Sequence, residues 1–197
     1  RLFETGLRFM PGESLAQTPM LGLLLCGRRM PEGWSSDAAS VDFYDMKGEI
    51  EALLQAVDQR LTFRSAVRPG LHDGQTAEIL LGDGVVGVMG RLHPSTAKTL
   101  NLPEQTLVAE LELGSVVGRV LPDYEEISKF PEVRRDIAVI VNRETPSAAV
   151  LDTAKVSAGA ALADARIFDV YEGHGVADDA KSLAIGLTFR DQSRTLT

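Results

Sequence analysis

The chain has 197 residues, of which 44% are hydrophobic and 24% charged, an ordinary balance for a globular protein with apolar content for one large or two modest cores. Its formal charge of −8 argues against a surface coated in phosphate-binding patches, its single cysteine excludes an intramolecular disulfide, and no apolar run nears the roughly 18 residues of a bilayer-spanning helix. The acidity is uneven: residues 127–197 carry 9 Lys/Arg and 10 Asp/Glu, so the preceding stretch holds the other 11 and 18 and nearly all the net negative charge.

In chain order, Leu2–Met10 (LFETGLRFM) reads as a strand closed by Pro11-Gly12. Met20–Cys26 (MLGLLLC) reads as a buried strand; it lacks the basic lead of a signal peptide, and Cys26 within it reads as a reduced core thiol. Residues 31–40 form a Gly/Pro/Ser-bearing loop in which Trp34 is expected to act as a lid on the core. From Asp45 the period changes: Met46, Ile50, Leu53, Leu54 and Val57 share one helical stripe, with Glu49 and Glu51 near the positive helix start. Thr76–Leu81 and Val85–Met89 flank Gly82-Asp83-Gly84, a hairpin signal. Pro94 opens a short helix through Leu100, Pro103 ends it, and Leu107–Leu113 alternates again with Leu107, Ala109, Leu111 and Leu113 on one side. The expected result is a mostly antiparallel sheet with few helices.

Gly114–Glu126 reads as a linker, and Ile127–Asn142 (ISKFPEVRRDIAVIVN) as the start of a second module. Pro131 biases Phe130 toward extended geometry, and in the strand that follows Ile137, Val139 and Val141 point one way while Asp136, Ala138, Ile140 and Asn142 point the other. Thr145-Pro146 reads as cap and first position of a helix buried through Val150, Leu151, Ala154 and Ala158 and ended by Gly159. Strands are expected at Ala165–Tyr171 and Leu183–Phe189, around a polar loop at Gly173–Asp179. The order β-α-β-β is three quarters of a ferredoxin-like fold. With its second helix expected to start only at Thr197, the apolar face of Val139, Ile185 and Leu187 should be partly uncovered by this chain.

Several motifs weigh against catalysis. Gly82, Gly84 and Gly87 match the spacing of a dinucleotide fingerprint, but a β-branched run follows where a helix must receive the pyrophosphate. His72, His93 and His174 are scattered, no Ser or Cys sits in a nucleophile elbow, and Arg91, the nearest candidate for an ATP-gripping arginine, precedes a proline-opened helix. Arg143 occupies the loop where an acylphosphatase would cradle phosphate, yet NRETP offers no glycine nest and Glu144 would repel the ligand. An amino-acid-sensing module of the ACT type stays open, with no feature that speaks for it. The strongest constellation lies on the last strand, where Ser182, Ala184, Gly186, Thr188 and Arg190 make a small, polar face that suits single-stranded RNA if Arg134, Arg135 and Arg194 join it. The competing reading has these arginines paired with Glu132, Asp136 and Asp191 on a solvated surface.

The run FPEVRRDIAVIV with FDVYEGHGV, KSLAIGLTF and RDQSRTLT closely resembles the C-terminal ferredoxin-like anticodon-binding domain of the bacterial phenylalanyl-tRNA synthetase β subunit. Upstream, VDFYDMKGEIEALL, LHDGQTAEILLGDGVVGVMGRLHP and LVAELEL resemble that subunit's adjoining module, similar to a class II synthetase catalytic fold but without catalysis. The resemblance implies an α+β chain with a catalytic-like, non-catalytic antiparallel module at 1–120, a linker at 121–127 and a ferredoxin-like βαββ(αβ) anticodon-binding domain at 128–197, truncated at its C-terminus. It implies a cytoplasmic ligase component that scaffolds the α subunit in an (αβ)₂ heterotetramer and binds the tRNA(Phe) anticodon region, with no membrane or DNA partner. The holoenzyme would use ATP and Mg²⁺, neither held by this fragment, which has no catalytic or metal residue of its own. RNA-binding residues are expected among Phe130, Arg134, Arg135, Asp136, Thr188, Arg190, Asp191, Arg194 and Thr195. The alternative is a ferredoxin-like small-ligand module on a β-rich scaffold.

Overall fold

The computed structural model describes residues 1–12, 15–35, 37–55, 61–116, 124, 126 and 128–196. Two compact units divide the chain, Arg1–Pro122 and Asp123–Thr197. Val57, Ile127, Thr197 and most of the expected linker lie outside the described residues.

The first unit contains β1 (Leu2–Met10), β2 (Ala16–Leu25), α1 (Phe43–Leu54), β3 (Leu61–Ser65), β4 (Leu71–Leu81), β5 (Gly84–Leu92), α2 (Pro94–Thr99), β6 (Leu107–Glu112) and α3 (Leu113–Val116). The strands form one six-stranded sheet in the order β1-β2-β6-β5-β4-β3, every pair antiparallel. Helix α1 begins two residues before the expected Asp45. Asp42 caps it by accepting from the Tyr44 and Asp45 N–H groups, and the Asp45 carboxylate accepts the Asp42 N–H in return, a capping box that satisfies donors the first turn leaves unpaired. Met46, Ile50 and Leu54 are buried with Ile79, Met89 and Leu111 of the sheet. Leu53, expected on that stripe, is 48% exposed: it projects about 20° beyond Met46 and about 60° from Ile50, at the margin of the arc from Met46 through Ile50 to Leu54 that the sheet covers. Trp34 is fully exposed and is no lid on the core.

The hairpin between β4 and β5 is a two-residue turn in which Gly82 takes φ +57°, a left-handed conformation that glycine adopts without steric cost. Gly87, the third glycine of the false fingerprint, has a packing reason: a Cβ there would lie 2.3 Å from the Glu110 carbonyl oxygen on β6. Strand β3 (LTFRS) was not apparent from the alternation, being five residues long with two of them polar or charged on its exposed end.

The second unit contains β7 (Val133–Asn142), α4 (Ser147–Ala158), β8 (Leu162–Tyr171) and β9 (Ala180–Phe189), with sheet order β7-β9-β8. The cap of α4 is Pro146, one residue later than expected; Thr145 and Pro146 lie outside the helix, and the cap makes no side-chain hydrogen bond. One sheet face carries Leu183, Ile185 and Leu187, packed with Val139, Val150, Leu151 and Ala154. Ile185 is only 1% exposed and Leu187 8%, so the expected gap in cover does not fall on them: α4 of the same unit covers both. The gap falls on β7, where Val139 is half-buried and Ile137 is 41% exposed, since α4 packs chiefly on β8.

Candidate nucleic-acid interface on the three-stranded sheet

The face of the second sheet away from α4 is set by register. Opposite β7, Ser182, Ala184, Gly186 and Thr188 of β9 pair with Ile140, Ala138, Asp136 and Arg134. Strict alternation along β8 would turn Tyr171 and Asp169 to the same side as the buried Ala165. A β-bulge between Ile167 and Asp169 adds one residue, and beyond it Asp169 pairs with Ala184 and Tyr171 with Ser182, which brings both to the open face. Rows therefore run across the sheet as Ile140–Ser182–Tyr171, Ala138–Ala184–Asp169, Asp136–Gly186–Arg166 and Arg134–Thr188–Asp164.

Small residues on the central strand make this face shallow, and large apolar groups border it: Phe168 is 57% exposed, Tyr171 49% and Ile140 66%. Tyr171 is held in place, its hydroxyl donating to the His174 carbonyl at 3.3 Å and its ring lying where a Cβ on Gly173 would be, 2.6 Å from that position. Burying such aromatic area against a flat partner is favourable, and every nucleobase offers a flat partner.

Of the nine residues expected to bind RNA, Arg134, Asp136 and Thr188 share the open face. Arg135 is paired with Leu187 and points to the α4 side, its guanidinium donating to the Arg134 carbonyl at 2.9 Å. Phe130 is half-buried beside a local knot in which its N–H donates to the Ser128 hydroxyl, which donates to the Asp191 carbonyl at 2.9 Å. Arg190 is ion-paired with Glu132, and Arg194 with Asp191 at 3.3 Å, so for these two the solvated-pair reading holds. Asp191 accepts from both the Ser193 hydroxyl and N–H at 2.7 Å; these bonds, ahead of the Arg194 charge, hold its carboxyl down at about 2. That makes Asp191 the organiser of the turn after β9. Thr195 is exposed beyond it. Sequence reasoning missed Arg166, Phe168 and Tyr171. The bulge that fixes which side Tyr171 takes leaves no mark in the alternation.

Elsewhere, the chemistry weighed from sequence is occupied by structural contacts. Arg91 donates to the Glu104 carboxylate at 2.9 Å, Arg143 to Glu172 at 2.5 Å, and His93 serves as the cap of α2 by accepting the Ser95 N–H. Glu78, 9% exposed, is gripped by Arg64 at 2.6 Å and by Arg68; the Arg64 hydrogen bond leads in lowering its pKa. No group of three His, Cys, Asp or Glu side chains is placed to hold a metal among the described residues, and no described helix is long and apolar enough to cross a membrane. On the first sheet, edge strand β1 exposes Phe3, Leu7 and Phe9 on one side, and the face away from α1 bears an open groove of about 790 Å³ over Leu24, Leu71, Val88 and Val108.

The chain is a mainly antiparallel α+β protein whose second unit has the β-α-β-β order of a ferredoxin-like fold, and residues 128–197 match the family described as ferredoxin-fold anticodon binding domain. Residues 1–113 match the family described as phenylalanyl-tRNA synthetase beta chain CLM domain. The chain belongs to the phenylalanyl-tRNA synthetase β-chain family. It is 47% identical over 197 residues to the phenylalanine–tRNA ligase β subunit of Hahella chejuensis, 47% over 200 residues to that of Pseudomonas putida and 42% over 202 residues to that of Vibrio cholerae. All of this chain is covered in each case, and it spans 25% of the length of each of these relatives.

Proposed function

We propose that this chain is a non-catalytic part of a phenylalanine–tRNA ligase β subunit and that the open face of its three-stranded sheet receives the tRNA(Phe) anticodon loop. The carrying observation is the meeting on one face of two arginines with no ion-pair partner among the described residues, Arg134 and Arg166, exposed aromatics, Phe168 and Tyr171, and a floor of small residues. Arginines take phosphates, aromatics stack unpaired bases, and the small floor lets a backbone approach. Arg190, Arg194, Asp191 and Thr195 border this face and hold the turn beside it, while Phe130 and Arg135 anchor β7.

The first unit then has the scaffolding role: a class II synthetase-like sheet whose exposed β1 stripe of Phe3, Leu7 and Phe9 suits burial against the α subunit in a cytoplasmic (αβ)₂ assembly. ATP and Mg²⁺ would be held by that α subunit, with no step assigned to residues here. The test is fluorescence anisotropy of a labelled tRNA(Phe) anticodon stem-loop at low and moderate salt. Expected is weak, salt-sensitive binding, lost in Arg134→Ala/Arg166→Ala and weakened about tenfold in Tyr171→Ala and in Gly173→Ala, which displaces the ring. Binding that survives the arginine pair, or that is lost equally in Arg190→Ala/Arg194→Ala, would move the interface off this face.

A further inference from the structure

Strand β1 is an edge of the six-stranded sheet: it pairs with β2 along one side, and among the described residues no strand pairs with its other side. An open edge is a row of free amides and carbonyls, and folded proteins guard such rows with proline, a bulge or like charges. β1 carries none of these. Its nine residues, LFETGLRFM, include no proline, and its register with β2 runs unbroken from Leu2 to Met10. Leu2, Phe3, Leu7, Phe9 and Met10 are each more than half exposed, and α1 packs over β5 and β6, away from this edge. The two charged residues, Glu4 and Arg8, have opposite signs and stand on one face of the strand. Arg8 gives one guanidinium nitrogen to Glu112 at 2.7 Å, and Glu4 has no ion-pair partner among the described residues.

We propose that β1 is a self-association edge, through which two copies of this chain pair antiparallel about a two-fold axis at Gly6 and join their sheets into one. In such a pair the outward-pointing amides of both strands meet only in registers that face odd-numbered residues with odd and even with even. The register that pairs the whole strand places Gly6, the middle residue of β1, opposite its own copy. Read backwards about that residue, the sequence complements itself. Phe3 meets the second copy's Phe9, Leu2 meets Met10 and Glu4 meets Arg8, and the symmetry makes each contact twice. The neighbouring allowed registers face Glu4 or Arg8 with Gly6 and lose the ion pairs. A parallel in-register pair sets each charge against its duplicate. One antiparallel register alone therefore satisfies both the charges and the apolar residues. The pairing uses the edge and leaves the sheet faces open, so it is independent of the RNA face and of the contact assigned to the Phe3, Leu7 and Phe9 stripe.

Sedimentation equilibrium of the full chain from about 1 to 100 µM, where interfaces of modest area associate, should show monomer and dimer in exchange. Glu4→Lys and Arg8→Glu, each alone, set like charges face to face twice and should weaken the dimer about tenfold or more. An equal mixture of the two variants faces every introduced charge with an opposite one, and should associate as the wild type does. Arg8→Glu also gives up the Glu112 bond, so each variant's melting curve is compared with that of the wild type. A second pair of variants leaves both charges in place. In a Cys26→Ser background, Gly6→Cys should form a disulfide-linked dimer with oxidised glutathione, since the copies meet at this residue and nothing lies within 4 Å of its Cβ position. Met10→Cys should not, because its two copies stand about 27 Å apart along the paired strands. The pairing is overturned by a wild-type chain that stays monomeric throughout, or by cross-linking through Met10→Cys as ready as through Gly6→Cys. It is equally overturned if the mixture fails to associate although both variants melt like the wild type.

Discussion

Gly87 offers the sharpest test of how the first sheet is held. A Cβ at this position would lie 2.3 Å from the Glu110 carbonyl oxygen and 3.1 Å from the Leu111 Cα, both main-chain atoms of β6. Ordinary contact begins at 3.4 Å, so Gly87→Ala forces β5 and β6 apart by about 1 Å where Gly87 opposes Leu111 and Val88 opposes Glu110. No flexible side chain can yield in their place. Lengthening one or two ladder hydrogen bonds costs about 1 kcal/mol each, and misfitting the fully buried Leu111 beneath them adds about 1–3 kcal/mol. The expected loss is therefore about 3 kcal/mol, or roughly 10 °C in the melting of a unit of this size. Gly6→Ala in β1 is the control: nothing lies within 4 Å of its Cβ position, and losing glycine's freedom in the unfolded chain should make it neutral or stabilising by about 0.5 kcal/mol. Native-state hydrogen exchange at the β5 and β6 amides reads this unit by itself. Protection in Gly87→Ala within about 0.5 kcal/mol of the wild type would refute the close-approach argument.

Two further outcomes follow from packing and charge. Leu183→Ala removes a side chain 1% exposed between β9 and α4 and should cost about 2–5 kcal/mol in the second unit, read as a lowered urea midpoint. Asp191, whose carboxyl is held at about 2, is depressed below its unfolded value near 3.9, so its stabilising effect is complete above about pH 4 and is lost as pH falls through 2. Asp191→Asn should flatten that acid limb in a urea titration across pH 2–5; an unchanged limb would contradict the role given to the Ser193 hydrogen bonds.

Much of the architecture was legible because local chemistry and period agreed. The Gly82-Asp83 turn announced its hairpin, and the Leu107, Ala109 and Leu111 alternation announced a strand with one buried face. The errors came where distance along the chain carries no information. Leu53 follows a helical spacing yet faces water, and Trp34 is apolar yet uncovered, because only the tertiary neighbours decide which apolar groups are needed. The open face of the second sheet suffered most. Arg190 and Arg194 stood out as basic residues near a small-residue strand, but each meets a carboxylate across or along the chain. Tyr171 and Asp169 reach the open side through a single inserted residue, a change of phase that side-chain identity does not announce.

The position of β7 in the sheet also bears on solubility. It pairs with β9 along one edge only, and its other edge meets no strand among the described residues. Ile137 and Ile140 are exposed on opposite faces of it, so a length of free amides and carbonyls is flanked by oil on both sides. Such an edge is a template for any extended chain, its own copies included. What guards it is charge: parallel in-register stacking of two β7 strands would set Arg134 and Arg135 against their duplicates, one pair on each face, which makes self-templating costly.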